Sequence, residues 1–122
     1  MTWQLDSNKP VYSQIIDRVK MDIINGVYQP GDKLPSVRDL ASMAAVNPNT
    51  MQKALSELER TNLIYTERTS GRYITTDTEL IQNIRKQLAE SYIHDFFQRM
   101  DDLGYRRQEL MELIQKIIKE ES

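Results

Sequence analysis

Residues 36–60 read SVRDLASMAAVNPNTMQKALSELER, and two helix starts within this stretch decide the fold. Ser36 precedes Val37, Leu40, Ala41 and Ala44, a short apolar face at helical spacing. Asp39, three residues after Ser36, makes an acidic variant of a capping box. This pattern predicts a helix of about two turns. Asn47-Pro48 is the stronger signal, because Asn is a preferred N-cap and proline is favoured at the first helical position. The helix it opens is expected to reach about Arg60, with Met51, Ala54, Leu55 and Leu58 facing inward. Asn49, Gln52, Lys53, Ser56 and Glu57 then face outward. Only Ala45 and Val46 separate the two helices, the tight connection that a helix-turn-helix requires.

Working outward towards the N-terminus, residues 10–25 place Val11, Ile15, Ile16, Val19, Ile23 and Ile24 at helical spacing, with Pro10 suited to the first turn and Asn25-Gly26 to the end. Gly26, Pro30, Gly31 and Pro35 follow in quick succession and predict a tight connecting loop. On the other side, residues 63–66 and 72–75 are rich in β-branched and aromatic side chains and flank a turn at residues 67–71, a hairpin pattern. Three helices and a hairpin in this order are the layout of a winged helix-turn-helix. The expected fold is mainly α with a small β wing, its DNA-binding domain spanning residues 1–76.

Residues 77–122 are expected to form a helical dimerisation segment. Asp77-Thr78 can cap a fourth helix in which Leu80, Ile84, Leu88, Tyr92, Phe96, Met100 and Leu103 recur almost every fourth residue, until Gly104 stops it. A second apolar row holds Ile81, Ala89, Ile93, Phe97 and Met100, so the stripe is too broad for one partner helix. A fifth helix over residues 106–120 carries Leu110, Met111, Leu113, Ile114, Ile117 and Ile118. Ile84, Leu88, Tyr92, Ile93, Phe96, Phe97 and Met100 are therefore the candidate homodimer contacts; the alternative is that the fifth helix and the winged helix cover them within one chain. A helix pair cannot enclose the ~300 Å³ of a drug-sized pocket, which leaves any small-molecule effector unnamed.

Composition removes several function classes. In 122 residues there is one histidine and no cysteine, which excludes disulfides, thiol catalysis and cysteine-type zinc sites. His94 alone makes no metal site. No nucleophile-base pair or glycine-rich phosphate loop occurs, so no catalytic residue, metal or cofactor is expected. The first twenty residues lack a signal-peptide core, and no apolar run approaches the ~18 residues of a membrane span; the expectation is a soluble, cytoplasmic chain with no membrane partner. Residues 1–76 carry nine basic and eight acidic side chains, and residues 77–122 carry seven and ten. With a sequence pI near 5.4, DNA binding must rest on local placement of charge.

That placement exists. In a helix-turn-helix the exposed start of the second helix enters the major groove, and here it offers Asn47, Asn49, Thr50 and Lys53 as hydrogen-bonding groups and one cation. Arg68 and Arg72, around Gly71, suit a wing laid on the DNA backbone or minor groove. Singly, each residue also fits a cap, a solvated face or a solubilised turn. Their co-location with Arg38 on one surface is what favours double-stranded DNA. The competing reading is a protein-interaction module with a helical scaffold tail, for which the acidic pI speaks. Trp3 either packs on the C-terminal helices or marks a loose arm.

The run Tyr12-Ser13-Gln14-Ile15, residues 24–41 (INGVYQPGDKLPSVRDLA), Val46-Asn47-Pro48-Asn49-Thr50, residues 55–59 (LSELE) and Leu63-Ile64 together resemble the N-terminal domain of GntR-type transcriptional regulators. The Asn-Pro-Asn-Thr wording and the short tail resemble the YtrA-like branch. The resemblance implies a dimeric repressor of a palindromic operator, with Ser36 and Arg38 at the DNA backbone and the third helix in the groove. Two departures stand out: the wing keeps one glycine, Gly71, where the family has Gly-x-Gly, and Pro48 takes the place of an arginine found in larger branches.

Overall fold

The computed structural model describes residues 3–122. Pro10 ends the entering segment and α1 runs over Val11–Ile24, burying Ile15, Val19 and Ile23. Gly26, at φ 80°, then adopts the left-handed conformation that lets the chain turn away, as a residue without Cβ can. Gln14 ties down the segment before α1. Its Oε1 accepts from the Asp6 backbone N–H at 2.6 Å, and its Nε2 donates to the carbonyls of Asp6 and Lys9 at 2.6 and 3.1 Å. Trp3 is buried at 5% exposure: its backbone N–H donates to the Met43 carbonyl, and the Arg18 guanidinium lies 4.9 Å from its ring centroid. Trp3 is thus a core residue of the winged helix rather than a loose arm.

The next two helices start where their caps do. Ser36 Oγ accepts from Asp39 N–H at 3.1 Å and opens α2, Val37–Ala44. Asn47 Oδ1 accepts from Asn49 N–H at 2.7 Å and opens α3, Pro48–Arg60. Between them Ala45 takes the left-handed conformation at φ 56°. α3 buries Met51, Ala54, Leu55 and Leu58, and α2 buries Leu40, Ala41 and Ala44. Fully burying a Leu or Ile side chain is worth about 1.5–3 kcal/mol, so this apolar set drives the assembly.

The hairpin is shifted one residue from its expected strands. β1 is Ile64–Glu67 and β2 is Gly71–Ile74, antiparallel, with Ile64 opposite Ile74, Tyr65 opposite Tyr73, Thr66 opposite Arg72 and Glu67 opposite Gly71. The preceding loop is more ordered than turn chemistry suggests. Gly31 and Leu34 N–H groups donate to the carbonyls of Ile74 and Arg72, Ile74 N–H donates to Asp32, and Lys33 bridges Tyr73. These bonds bury Leu34 and lay the loop along β2 like a short third strand.

Asp77 Oδ1 accepts from Leu80 N–H at 3.0 Å at the start of α4, Thr78–Asp102; α5 follows over Arg107–Glu121. The chain divides into two compact units, residues up to Asn83 and residues from Ile84 onward. Ile81 is buried in the first. In the second, Leu110 is buried, Arg107 pairs with Asp101 at 2.8 Å, and its guanidinium lies 4.4 Å from the Phe97 ring centroid. No helix of the described residues is long and apolar enough to cross a membrane.

Candidate nucleic-acid interface

Both expected contact helices expose their starts. Ser36 and Arg38 are exposed at the beginning of α2; Asn47, Asn49 and Lys53 are exposed at and after the beginning of α3, and Thr50 is half-buried. The caps decide which atoms remain for a partner. Ser36 and Asn47 each spend an oxygen on their own helix, but the Asn49 group engaged by the cap is its backbone N–H, so its side chain takes no part in that bond. Free backbone amides at a helix start, with the positive end of the helix dipole, favour an anion such as phosphate.

A groove of about 690 Å³ joins the start of α2 to the wing, lined in part by Lys33, Ser36, Asp39, Ser70, Gly71 and Arg72. It brings together Ser36, Gly71 and Arg72 from the expected set and adds Lys33. Asn47, Asn49 and Lys53 do not line it. Gly71, at φ 119°, is held where Lys33 Cε would come within 3.3 Å of any added Cβ. The backbone angle is what demands glycine here, since the Lys33 Cε contact is the far end of a flexible, exposed side chain that can move aside. Lys33 was hidden in the sequence inside a Gly- and Pro-rich loop; the strand-like pairing of that loop with β2 is what carries it here.

The two wing arginines have separate fates. Arg68 is exposed in the hairpin turn. Arg72, expected to face DNA, is turned inward, its side chain 17% exposed and its Nε donating to Glu59 Oε1 of α3 at 2.5 Å. Thr66 donates its hydroxyl to the same oxygen at 2.7 Å. Burial pushes the Glu59 carboxyl up, but the hydrogen bonds from Thr66 and Arg72 and the charge of Arg72 outweigh it and hold the group below its ordinary value. Glu59 was missed because nothing in its local sequence distinguishes it from a solvated helix carboxylate.

Among the described residues no cluster of three or more metal-binding side chains occurs, and His94 is exposed. In the second unit Ile84, Leu88, Phe97 and Met100 are half-buried, whereas Tyr92, Ile93 and Phe96 are exposed at 55%, 50% and 38%.

Known proteins share this layout. Residues 11–74 match the family described as bacterial regulatory proteins, gntR family. The chain is 37% identical over 109 residues to YhcF of Bacillus subtilis, an uncharacterized HTH-type transcriptional regulator, covering 89% of this chain and 90% of YhcF. It is 44% identical over 93 residues to the HTH-type transcriptional repressor YtrA of the same organism, covering 71% and 72%. A solved GntR family transcriptional regulator from Listeria monocytogenes superposes with a TM-score of 0.85 at 38% identity, over 92% of this chain and 98% of that one. The DNA-binding domain of AraR, solved in complex with operator ORE1, superposes at 0.53 with 25% identity, over 62% and 94%. These relatives are transcriptional regulators rather than enzymes. The winged helix, its exposed helix starts and the match over residues 11–74 lead to one assignment: the chain belongs to the gntR family of bacterial regulatory proteins and is a DNA-binding transcriptional regulator.

Proposed function

We propose that the protein acts as a homodimeric repressor in the bacterial cytoplasm, binding a palindromic operator through residues 1–76 and dimerising through residues 77–122. The start of α3 carries this reading. There the cap is closed by Asn47 and a backbone amide, which leaves the Asn49 side chain exposed for a base edge. Asn49, Thr50 and Asn47 read bases in the major groove, with Lys53 adding a cation. Ser36 and Arg38 meet the phosphate backbone, and Arg68 and the Gly71 turn bring the wing to it. Arg72 serves the wing from inside. The exposed Tyr92, Ile93 and Phe96 support the second half of the reading, and a dimer seated on a promoter blocks polymerase by occupancy. The name of its relative YtrA supports repression.

Titration separates residues that position from residues that read. Take a duplex selected by the wild-type protein from a random pool, and its scrambled counterpart, at matched salt. Arg38→Ala should weaken binding to both and lower the salt slope by about one unit. Asn49→Ala should cost roughly 1–3 kcal/mol on the selected duplex and much less on the scrambled one. Equal losses on both would remove Asn49 as a reader. Absence of salt-dependent binding by the wild type would favour the protein-interaction module instead.

A further inference from the structure

We propose that Glu59 is a positioning residue for DNA binding: it braces the wing against α3, so that Arg68 is presented to DNA at a fixed place relative to the recognition helix. The proposal rests on the DNA-binding reading above and adds to it a residue that touches no DNA. Side chains alternate across the two faces of the hairpin. Ile64 and Ile74, a cross-strand pair, are buried in the core. Tyr65 and Tyr73 occupy the opposite face, stacked with centroids 5.8 Å apart. The next pair, Thr66 and Arg72, returns to the inner face, and both side chains end on one oxygen, Glu59 Oε1, at 2.7 and 2.5 Å. Beyond this pair lie only Glu67, opposite Gly71, and the turn that holds Arg68.

The brace is therefore the outermost side-chain anchor between the hairpin and α3, placed between the apolar core and the wing tip. Two-stranded hairpins are marginal on their own, so the tip's position depends on what holds it. The loop through Lys33 and Leu34 holds β2 by backbone bonds; Glu59 holds both strands at once. One carboxylate also neutralises Arg72 inside the protein, which leaves Arg68 as the cation of the wing.

The test is a double-mutant cycle on the full chain, read as affinity and salt slope on the selected duplex. Arg68→Ala should lose affinity several-fold and reduce the slope by about one. Glu59→Gln, with circular dichroism and melting confirming a folded protein, should produce a similar loss, and Glu59→Gln with Arg68→Ala should be no worse than either alone. Thr66→Val keeps every charge and removes one of the two bonds; it should show a smaller loss, coupled to Arg68 in the same way, and it stands in if Glu59→Gln does not fold. Independent, multiplying losses would overturn the brace, as would unchanged binding by Glu59→Gln when Arg68→Ala is impaired. Tighter binding with a steeper slope would also overturn it, showing a shield over Arg72 instead. Losses from Glu59→Gln with none from Arg68→Ala would fault the wing-contact reading itself, and the proposal with it.

Discussion

The two compact units treat their apolar side chains in opposite ways. In residues up to Asn83, Ile15, Val19, Leu40, Met51, Leu55, Leu63 and Ile74 are at 1% exposure or less; from Ile84 onward, only Leu110 is, among the described residues. In that second unit Tyr92, Ile93, Leu103, Met111 and Ile118 are half exposed or more. The winged helix closes its own core, because three helices and a hairpin present apolar faces to a common centre. A single helix pair has no third layer, so part of its apolar stripe, Tyr92, Ile93 and Phe96 included, stays in water unless another surface covers it. The contrast fits the proposed division of labour, with the first unit complete as a monomer and the second completed by a copy of itself.

Damage to the closed core should give the largest effect. Leu55 is fully buried on α3, and Leu55→Ala removes packed methyl groups and leaves a cavity, at a cost of about 2–5 kcal/mol. Chemical denaturation should show a lower midpoint with an unchanged slope. Wild-type stability in this variant would mean that the first unit does not carry the protein's core.

The open face should respond through assembly. Ile93→Asp places a charge where the proposed dimer needs apolar contact and should weaken association by roughly 3 kcal/mol, about a hundredfold. Phe97 is a poorer site for this test, because Arg107 lies over its ring and would pair with an introduced carboxylate. Sedimentation should show a folded monomer; an intact dimer would place the interface elsewhere.

The same contrast explains what was legible beforehand. Ser36 and Asn47 announce their helices because a cap is a local event, complete within three residues. Met51, Ala54, Leu55 and Leu58 are legible as core because helical periodicity is local too. Four features were not legible. Ala45 adopts φ 56° without the glycine that would have signalled it. Lys33 and Leu34 pair with β2 from within a run of turn residues. Arg72 meets Glu59 from 13 positions away, across an element boundary, and no spacing rule covers such a pair. Trp3 belongs with these, since its burial depends on α1 and α2 being assembled first.

The smallest effect expected is one of acid, and it sharpens the comparison at the level of single ion pairs. In the C-terminal unit Arg106 and Glu109 pair at 3.2 Å with side chains 86% and 50% exposed, a surface pair whose loss by Glu109→Gln should barely move the melting temperature. Glu59 and Arg72 are 31% and 17% exposed, and Glu59 is held below its ordinary 4.5 despite the opposing effect of burial. A carboxylate lowered in the folded state contributes stability that is fully present above its unfolded value and is lost as pH falls through the folded value. The wild type should therefore melt above Glu59→Gln at neutral pH by a margin that stays constant down to about pH 5 and shrinks as the pH falls below 4.5. Thermal melts of both proteins from pH 7 to pH 3 measure this margin directly. A gap that persists undiminished at pH 3 would mean that the difference arises from shape or packing and not from the charge of Glu59, and the pair would then be no more than the surface contact seen at Glu109.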